Sequence, residues 1–245
     1  MNHKISIILT NYNHAQYIET AYRSIQEQTY KNIEVIIVDD CSTDHSRDII
    51  VDIRNKYKNF STKTIFLEEN RGKWYALNKG ISEASGEIIG IQDADDASCK
   101  QRIEIQYNVM QKHQSYHNLS GFKHCYSEED MQEYKHLKEI TDPKTMDHST
   151  ILKHVITGHH TPGINHYYAG PDFETHGASC LFYKQLWSCG IKFLPGNMDL
   201  RCKLAEDGDF NTKMTLLMQK TSVVMEPLYF YRRNTSTNNA WKEAL

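Results

Sequence analysis

Four short runs of β-branched and apolar residues, each followed by a polar turn and then a helically spaced segment, narrow most what this chain can become. They are KISIILT (4–10), IEVIIVD (33–39), KTIFLE (63–68) and EIIGIQ (87–92). Their near-continuous apolar character predicts strands of a mainly parallel sheet covered on both faces. Between them, AQYIETAYRSIQEQ places Tyr17, Ala21, Ser24, Ile25 and Gln28 at helical intervals. STDHSRDIIVDIRNKY opens with Ser and Asp caps and offers Ile49, Ile50 and Ile53 for burial. KWYALNKGISEA and KQRIEIQYNVMQKH supply two further crossovers. Right-handed crossovers of this length build a doubly wound α/β layer.

Beyond residue 115 the rhythm stops. Residues 116–176 are rich in His, Tyr and charge, with a short helix expected in SEEDMQEYKHLKEI and loops at DPKT, HHTPG and AGPD. Order is expected to return at GASCLFYKQLW, followed by a helix around DFNTKMTLLMQ and a strand at SVVMEPLYFYRR. The chain therefore divides into an α/β half, 1–115, and a second half, 116–245, which carries the insertion 116–176, within one continuous domain. At 245 residues it can bury a full core, and a net charge of -3 leaves no basic field for nucleic acid or an anionic membrane. Six cysteines without a CxxC pair read as reduced thiols. The stretch ISIIL is too short for a signal core or a membrane span. A soluble, cytoplasmic protein is expected, at most peripheral to a membrane.

In an open parallel sheet, ligands sit at the carboxyl ends of the strands. Here those ends are TNYN (10–13), DDCSTD (39–44), the segment ENRGKW after the third run, and QDADD after the fourth. Asp93, Asp95 and Asp96 crowd three carboxylates into four positions and repel one another unless a cation intervenes. Hard divalent ions such as Mg2+ and Mn2+ take oxygen ligands and keep positions open for phosphate. No GxGxxG follows the first run and no Walker sequence occurs, so neither a dinucleotide fingerprint nor a P-loop is supported. The trio is thus expected to hold a divalent ion that carries a nucleotide diphosphate. Asp93 and Asp95, two apart in an extended segment, point the same way. Solvated capping of the next helix is the competing reading.

The succession SIILTNYNHAQYIETAYRSIQEQTYKNIEVIIVDDCSTDHS, ENRGKWYALNKGI and GEIIGIQDADD resembles the inverting family 2 glycosyltransferases of GT-A fold, over residues 4 to about 110. The resemblance implies a nucleotide-sugar donor, UDP-linked by preference, bound with Mn2+ or Mg2+. By position, Thr10 and Tyr12 line the base pocket, with Tyr12 against the ring. Asp39 accepts from the base or ribose, and Lys73 lies near the base or diphosphate. Asp93 and Asp95 become the DxD element and hold the metal. Farther on, GASCLFYKQLWSCGIKFLP looks like the family's acceptor-side strand. LAEDGDF resembles its acidic motif, which makes Asp207 the catalytic base, Glu206 its neighbour and Asp209 a competing candidate.

Together these imply transfer of a sugar to an acceptor hydroxyl with inversion, for glycan or polysaccharide synthesis. A nucleotidyltransferase is the nearest enzymatic alternative, although TNYNHAQY lacks its Gly-rich loop. A catalytically inactive sugar-nucleotide-binding protein is the alternative from another class. One departure is YRRNTS, which puts Asn234 where the family often has a histidine, so that Arg232 or Arg233 would pair with the diphosphate or form a surface ion pair. His159, His160, His166 and His176 read as polar loop surface. Trp74, Trp187 and Trp241 are candidates to stack on sugar, with Trp187 better suited to the core.

Overall fold

Strand β1 (Ile5–Asn11) is buried along its whole length, which requires neighbours on both edges and cover on both faces. It pairs in parallel with β2 (Ile33–Asp39) and β4 (Ile88–Asp93), and β2 pairs in parallel with β3 (Ser61–Phe66). This computed structural model describes residues 2–151, 166–168, 174–195, 210–211, 213–215 and 220–233. The four runs read as strands are strands. β3, however, lies at the sheet edge and is only half covered, so its apolar run has less to bury than its composition implies.

Alternation sends Ile5, Ile7 and Leu9 to one face, where α1 (Ile18–Gln26), α2 (Ser46–Lys56) and α4 (Arg102–His113) supply Ala21, Ile50, Ile53 and Ile103. Ile8, Ile36 and Val38 face the other side, against Ala76, Leu77 and Ile81 of α3 (Lys73–Ser82). Each such isoleucine, fully buried, contributes about 1.5–3 kcal/mol relative to exposure. Helix α3 can approach this closely because residue 80 is glycine: a Cβ there would meet Ile8 Cγ2 at 2.5 Å and Val38 Cγ2 at 3.1 Å. The anticipated Ser and Asp caps of α2 are replaced by His45, and Ile49 is only partly buried. Asp44 still takes the first-turn N–H of Ser46, at 2.9 Å.

The sheet continues across residue 115. β6 (His117–Cys125) is an internal strand, flanked by β10 (Leu181–Tyr183) and β11 (Thr221–Arg232), where sequence reading expected an irregular insertion. The strand order runs β3-β2-β1-β4-β10-β6-β11-β5, with β5 (Ala97–Ser98) antiparallel to β11. A two-residue β7 (Thr145–Met146) also pairs with β11, and a hairpin of β8 (His166–Tyr168) and β9 (Glu174–His176) lies against β6. β6 was illegible because its inward residues are polar. His117, Asn118 and Ser120 are fully buried; the side chains of His117 and Asn118 find polar partners, such as Asn118 Nδ2 donating to Ser222 Oγ at 2.8 Å, and the main chain of Ser120 pairs with the Ser179 hydroxyl. The expected helix after Ser127 is α5 (Glu128–Gln132), opened by a capping box between Ser127 and Asp130. Trp187 packs beside the second core and donates from its indole to Asn78 Oδ1 at 2.8 Å. Trp241 lies outside the described residues, as do His159 and His160. Among the described residues, no helix is long and apolar enough to cross a membrane, and the five described cysteines are free thiols.

Candidate functional site

The carboxyl ends of β1, β2 and β4 meet at one edge: Thr10 is in register with Val38 and Asp93, and Asn11 with Asp39. Asp39 is the hub of the adjoining loop. Its Oδ1 accepts from Arg47 Nε at 2.9 Å and from the Ser42 backbone N at 3.0 Å. Its Oδ2 accepts from Asn11 Nδ2 at 2.8 Å and from the Ser42 hydroxyl. A buried carboxylate with four internal donors braces the loop and has no free oxygen turned outward. Asn13, in the left-handed region at φ 57, ties the first loop to the second by accepting the Thr43 N–H at 2.8 Å and donating its own N–H to Ser42 Oγ at 2.9 Å. Thr10 is nearly buried, whereas the Tyr12 ring is 38% exposed at the same edge and available for stacking.

Asp93 ends β4, and the chain then turns, with Asp96 N donating to Asp93 O at 3.3 Å. The segment is therefore not extended, as the two-residue spacing implied. The turn, rather than strand alternation, converges the carboxylates: one oxygen from each of Asp93, Asp95 and Asp96 lies within 4.8 Å of the others. Burial pushes the Asp96 carboxyl well above its ordinary range, and the Asp95 and Asp93 charges push it further. Burial also raises Asp95, opposed by the His14 imidazole, whose Nε2 is 4.0 Å from Asp95 Oδ2. Asp96 Oδ1 accepts the Arg232 N–H at 2.8 Å, but Asp96 Oδ2 and Asp93 Oδ1 are buried without any donor. Two orphaned carboxyl oxygens in an all-oxygen trio fit a hard divalent cation.

Two cations already approach this trio. Lys73, the first residue of α3, places Nζ 2.8 Å from Asp93 Oδ2. The entry to that helix is shaped by Gly72, in the left-handed region at φ 86, and by Asp40. The two Asp40 oxygens accept the Arg71 and Gly72 N–H groups at 2.9 and 2.8 Å. Arg232 is buried, donates from Nε to the Asp95 carbonyl at 2.8 Å, pairs with Glu128 and sits 4.2 Å over the Tyr17 ring. Arg233 donates from Nε to His124 Nδ1 at 2.9 Å. Sequence reasoning missed Asp40, His14 and Tyr229, whose hydroxyl accepts the Asp93 N–H at 3.2 Å. Asp40 alone carried a signal, as the second acid of a strand-end doublet.

Asp207, with Glu206 and Asp209, lies outside the described residues, as does Asn234. The residues just after the acidic motif are in view. Phe210 stacks on Phe193 with centroids 4.0 Å apart, and Asn211 Oδ1 pairs with Nε2 of His117 at 2.9 Å. These contacts seat that segment on the same face as α3.

Residues 6–169 match the family described as Glycosyl transferase family 2. The putative teichuronic acid biosynthesis glycosyltransferase TuaG of Bacillus subtilis (strain 168) is 31% identical over 156 residues, which are 63% of this chain and 59% of that protein. This chain spans less than two thirds of the curated relatives it matches. Among solved structures, S. aureus TarS 1–349 in complex with UDP superposes with a TM-score of 0.66 at 22% identity, covering 98% of this chain and 63% of that one. Mannosyltransferase PcManGT from Pyrobaculum calidifontis, in complex with GDP-Man and Mn2+, gives a TM-score of 0.67 at 17% identity, covering 100% of this chain and 61% of that one. At these identities the likeness is one of fold.

Proposed function

Since the chain belongs to glycosyl transferase family 2 and has the GT-A fold, we propose that it transfers a sugar from a nucleotide-diphosphate donor, UDP-linked by preference, to an acceptor hydroxyl with inversion. The observation that carries this reading is the converged trio with its two donorless buried oxygens. The neighbours solved with UDP, with UDP-GlcNAc and with GDP-Man and Mn2+ support it. The scattered thiols favour a reducing, cytoplasmic setting.

Asp93 and Asp95 hold Mn2+ or Mg2+, which when bound neutralises charge on the leaving diphosphate. Tyr12 stacks on the base and Thr10 closes the pocket beneath it. Asp39 contributes by fixing the loop around Ser42 and Asn11, so that the base meets a rigid edge. Lys73 exchanges Asp93 for a diphosphate oxygen, aided by the positive end of α3. Asp207 takes the proton of the acceptor hydroxyl as that oxygen attacks the anomeric carbon from the side opposite the diphosphate, and a single displacement inverts the centre.

The test is a thermal-shift screen of nucleotide sugars with Mn2+ and with EDTA, followed by turnover assays of Asp207→Asn. Stabilisation by UDP that needs Mn2+, together with a variant that binds donor and does not turn over, supports the reading. Equal shifts in EDTA would remove the metal from it, and full turnover by the variant would remove Asp207.

A further inference from the structure

Among the described residues Arg102 is the largest side chain that is fully buried, only 1% exposed, and none of its hydrogen-bond partners there is a carboxylate. All five of its N–H groups are used. Nη2 donates to the Ile91 carbonyl at 2.8 Å and to that of Ala178 at 3.4 Å. Nη1 donates to Gln92 Oε1 at 3.0 Å and to Ser98 Oγ at 2.8 Å. Nε donates to Gln106 Oε1 at 3.0 Å, one turn along α4. Its guanidinium carbon sits 4.9 Å from the centroid of the Tyr229 ring.

The partners are informative by position. Ile91 and Gln92 immediately precede the acidic turn, and Ser98 follows it by two residues. Ser98 Oγ also donates to Gln92 Oε1 at 2.6 Å, so one guanidinium bridges both stems of the turn through a shared polar node. Tyr229 joins the same unit from below, its ring beside Arg102 and its hydroxyl taking the Asp93 N–H. A buried cation without an anionic partner is expensive to desolvate, so the five acceptors around Arg102 must offset that cost. The planar five-donor fork suits this task, and lysine, with three donors on a flexible stem, does not reproduce it.

We propose that Arg102 is a positioning residue that clamps the two stems of the Asp93–Asp96 turn, holding the three carboxylates converged before a divalent ion arrives. The proposal rests on the metal-dependent reading given above. It gives a mutually repelling trio its geometry in advance, so that binding need not first order the turn.

The experiment measures Mn2+ binding to UDP-loaded protein by electron paramagnetic resonance, for wild type, Arg102→Lys, Ser98→Ala and Gln106→Met, each with its melting temperature. Arg102→Lys keeps the charge and loses the fork, Ser98→Ala cuts one stem, and Gln106→Met removes a clamp partner that does not belong to the turn. The expected result is Mn2+ affinity weakened about tenfold or more in the first two variants, the scale of one charge-assisted hydrogen bond. Gln106→Met stays within twofold of wild type, whatever its melting temperature. The clamp is overturned if Arg102→Lys and Ser98→Ala bind as wild type does, or if Gln106→Met is equally weak, since the loss is then general softening of the core. Should Arg102→Lys fail to fold, Ser98→Ala against Gln106→Met decides alone. Wild type that takes no Mn2+ sinks the metal reading itself and the clamp with it.

Discussion

Replacing Asp96 by Asn should make the metal-free protein more stable while weakening its response to metal. The three carboxylates lie within 4.8 Å of one another. Two full charges at that distance repel by about 3.5 kcal/mol at an effective dielectric constant of ~20. Lys73 beside Asp93 relieves part of this, and burial, with the neighbouring carboxylates, pushes the Asp96 carboxyl upward. The net relief is then about 1–2 kcal/mol, or roughly 2–8 °C in melting temperature for a chain of this size. Asparagine keeps the Oδ1 that accepts the Arg232 N–H, so the turn loses no hydrogen bond there. The sign with pH follows from the raised carboxyl. Between its unfolded and folded pKa values the native state binds more protons than the unfolded one, so wild-type stability in EDTA falls as pH rises through that window. The variant should lack that share of the slope. Calorimetry in EDTA from pH 5 to about 8, a range chosen to cover the carboxyl and imidazole region, and then with Mn2+ and UDP, checks both halves. A lower melting temperature in EDTA for Asp96→Asn would refute the reasoning, because ionised Asp96 would then be a net stabiliser.

The buried His117 imidazole is pushed down to about 4 from 6.5 by desolvation, so the unfolded state binds more protons between those values. Stability present above pH 6.5 is lost as pH falls toward 4, by about 3 kcal/mol in all, and urea melts of His117→Asn should show a shallower dependence. Gly80→Ala drives a methyl group into Ile8 Cγ2 and should cost about 1–3 kcal/mol in thermal unfolding followed by circular dichroism. Lys73→Met removes the cation 2.8 Å from Asp93, so titration calorimetry should find tighter Mn2+ binding in the absence of nucleotide. The same variant should bind UDP-sugar about tenfold more weakly, on the scale of one charged contact.

Strands β1 and β2 were legible because nearly every residue in them is buried and their centres are runs of Ile, Leu and Val, with the polar residues gathered mostly at the ends. The acidic trio was legible by composition, but its shape was not: a turn after Asp93 does what strand alternation was expected to do. Sequence placed Asp39 at the right edge without revealing that Arg47, Ser42 and Asn11 enclose it, since a carboxylate braced inward and one turned to a ligand look alike in one dimension. β6 escaped because His117 and Asn118 are buried against Asn211 and Ser222, far along the chain, while Ser120 ties its main chain to Ser179, and a polar strand reads as loop until its partners are known. Arg102 escaped for the same reason: a charged residue near a helix start is read as surface unless its five acceptors can be seen.

The order in which the sheet is filled has a bearing on synthesis. β4 is complete at residue 93, yet the strand that covers its outer edge, β10, begins only at residue 181. On a translating ribosome that edge waits roughly 4–18 seconds at about 5–20 residues per second, with Ile88, Ile89 and Ile91 unprotected. A nascent chain halted in that interval presents a sticky β-ribbon to its neighbours. Production of this protein should therefore depend on chaperone capacity and elongation speed more than its finished stability would imply.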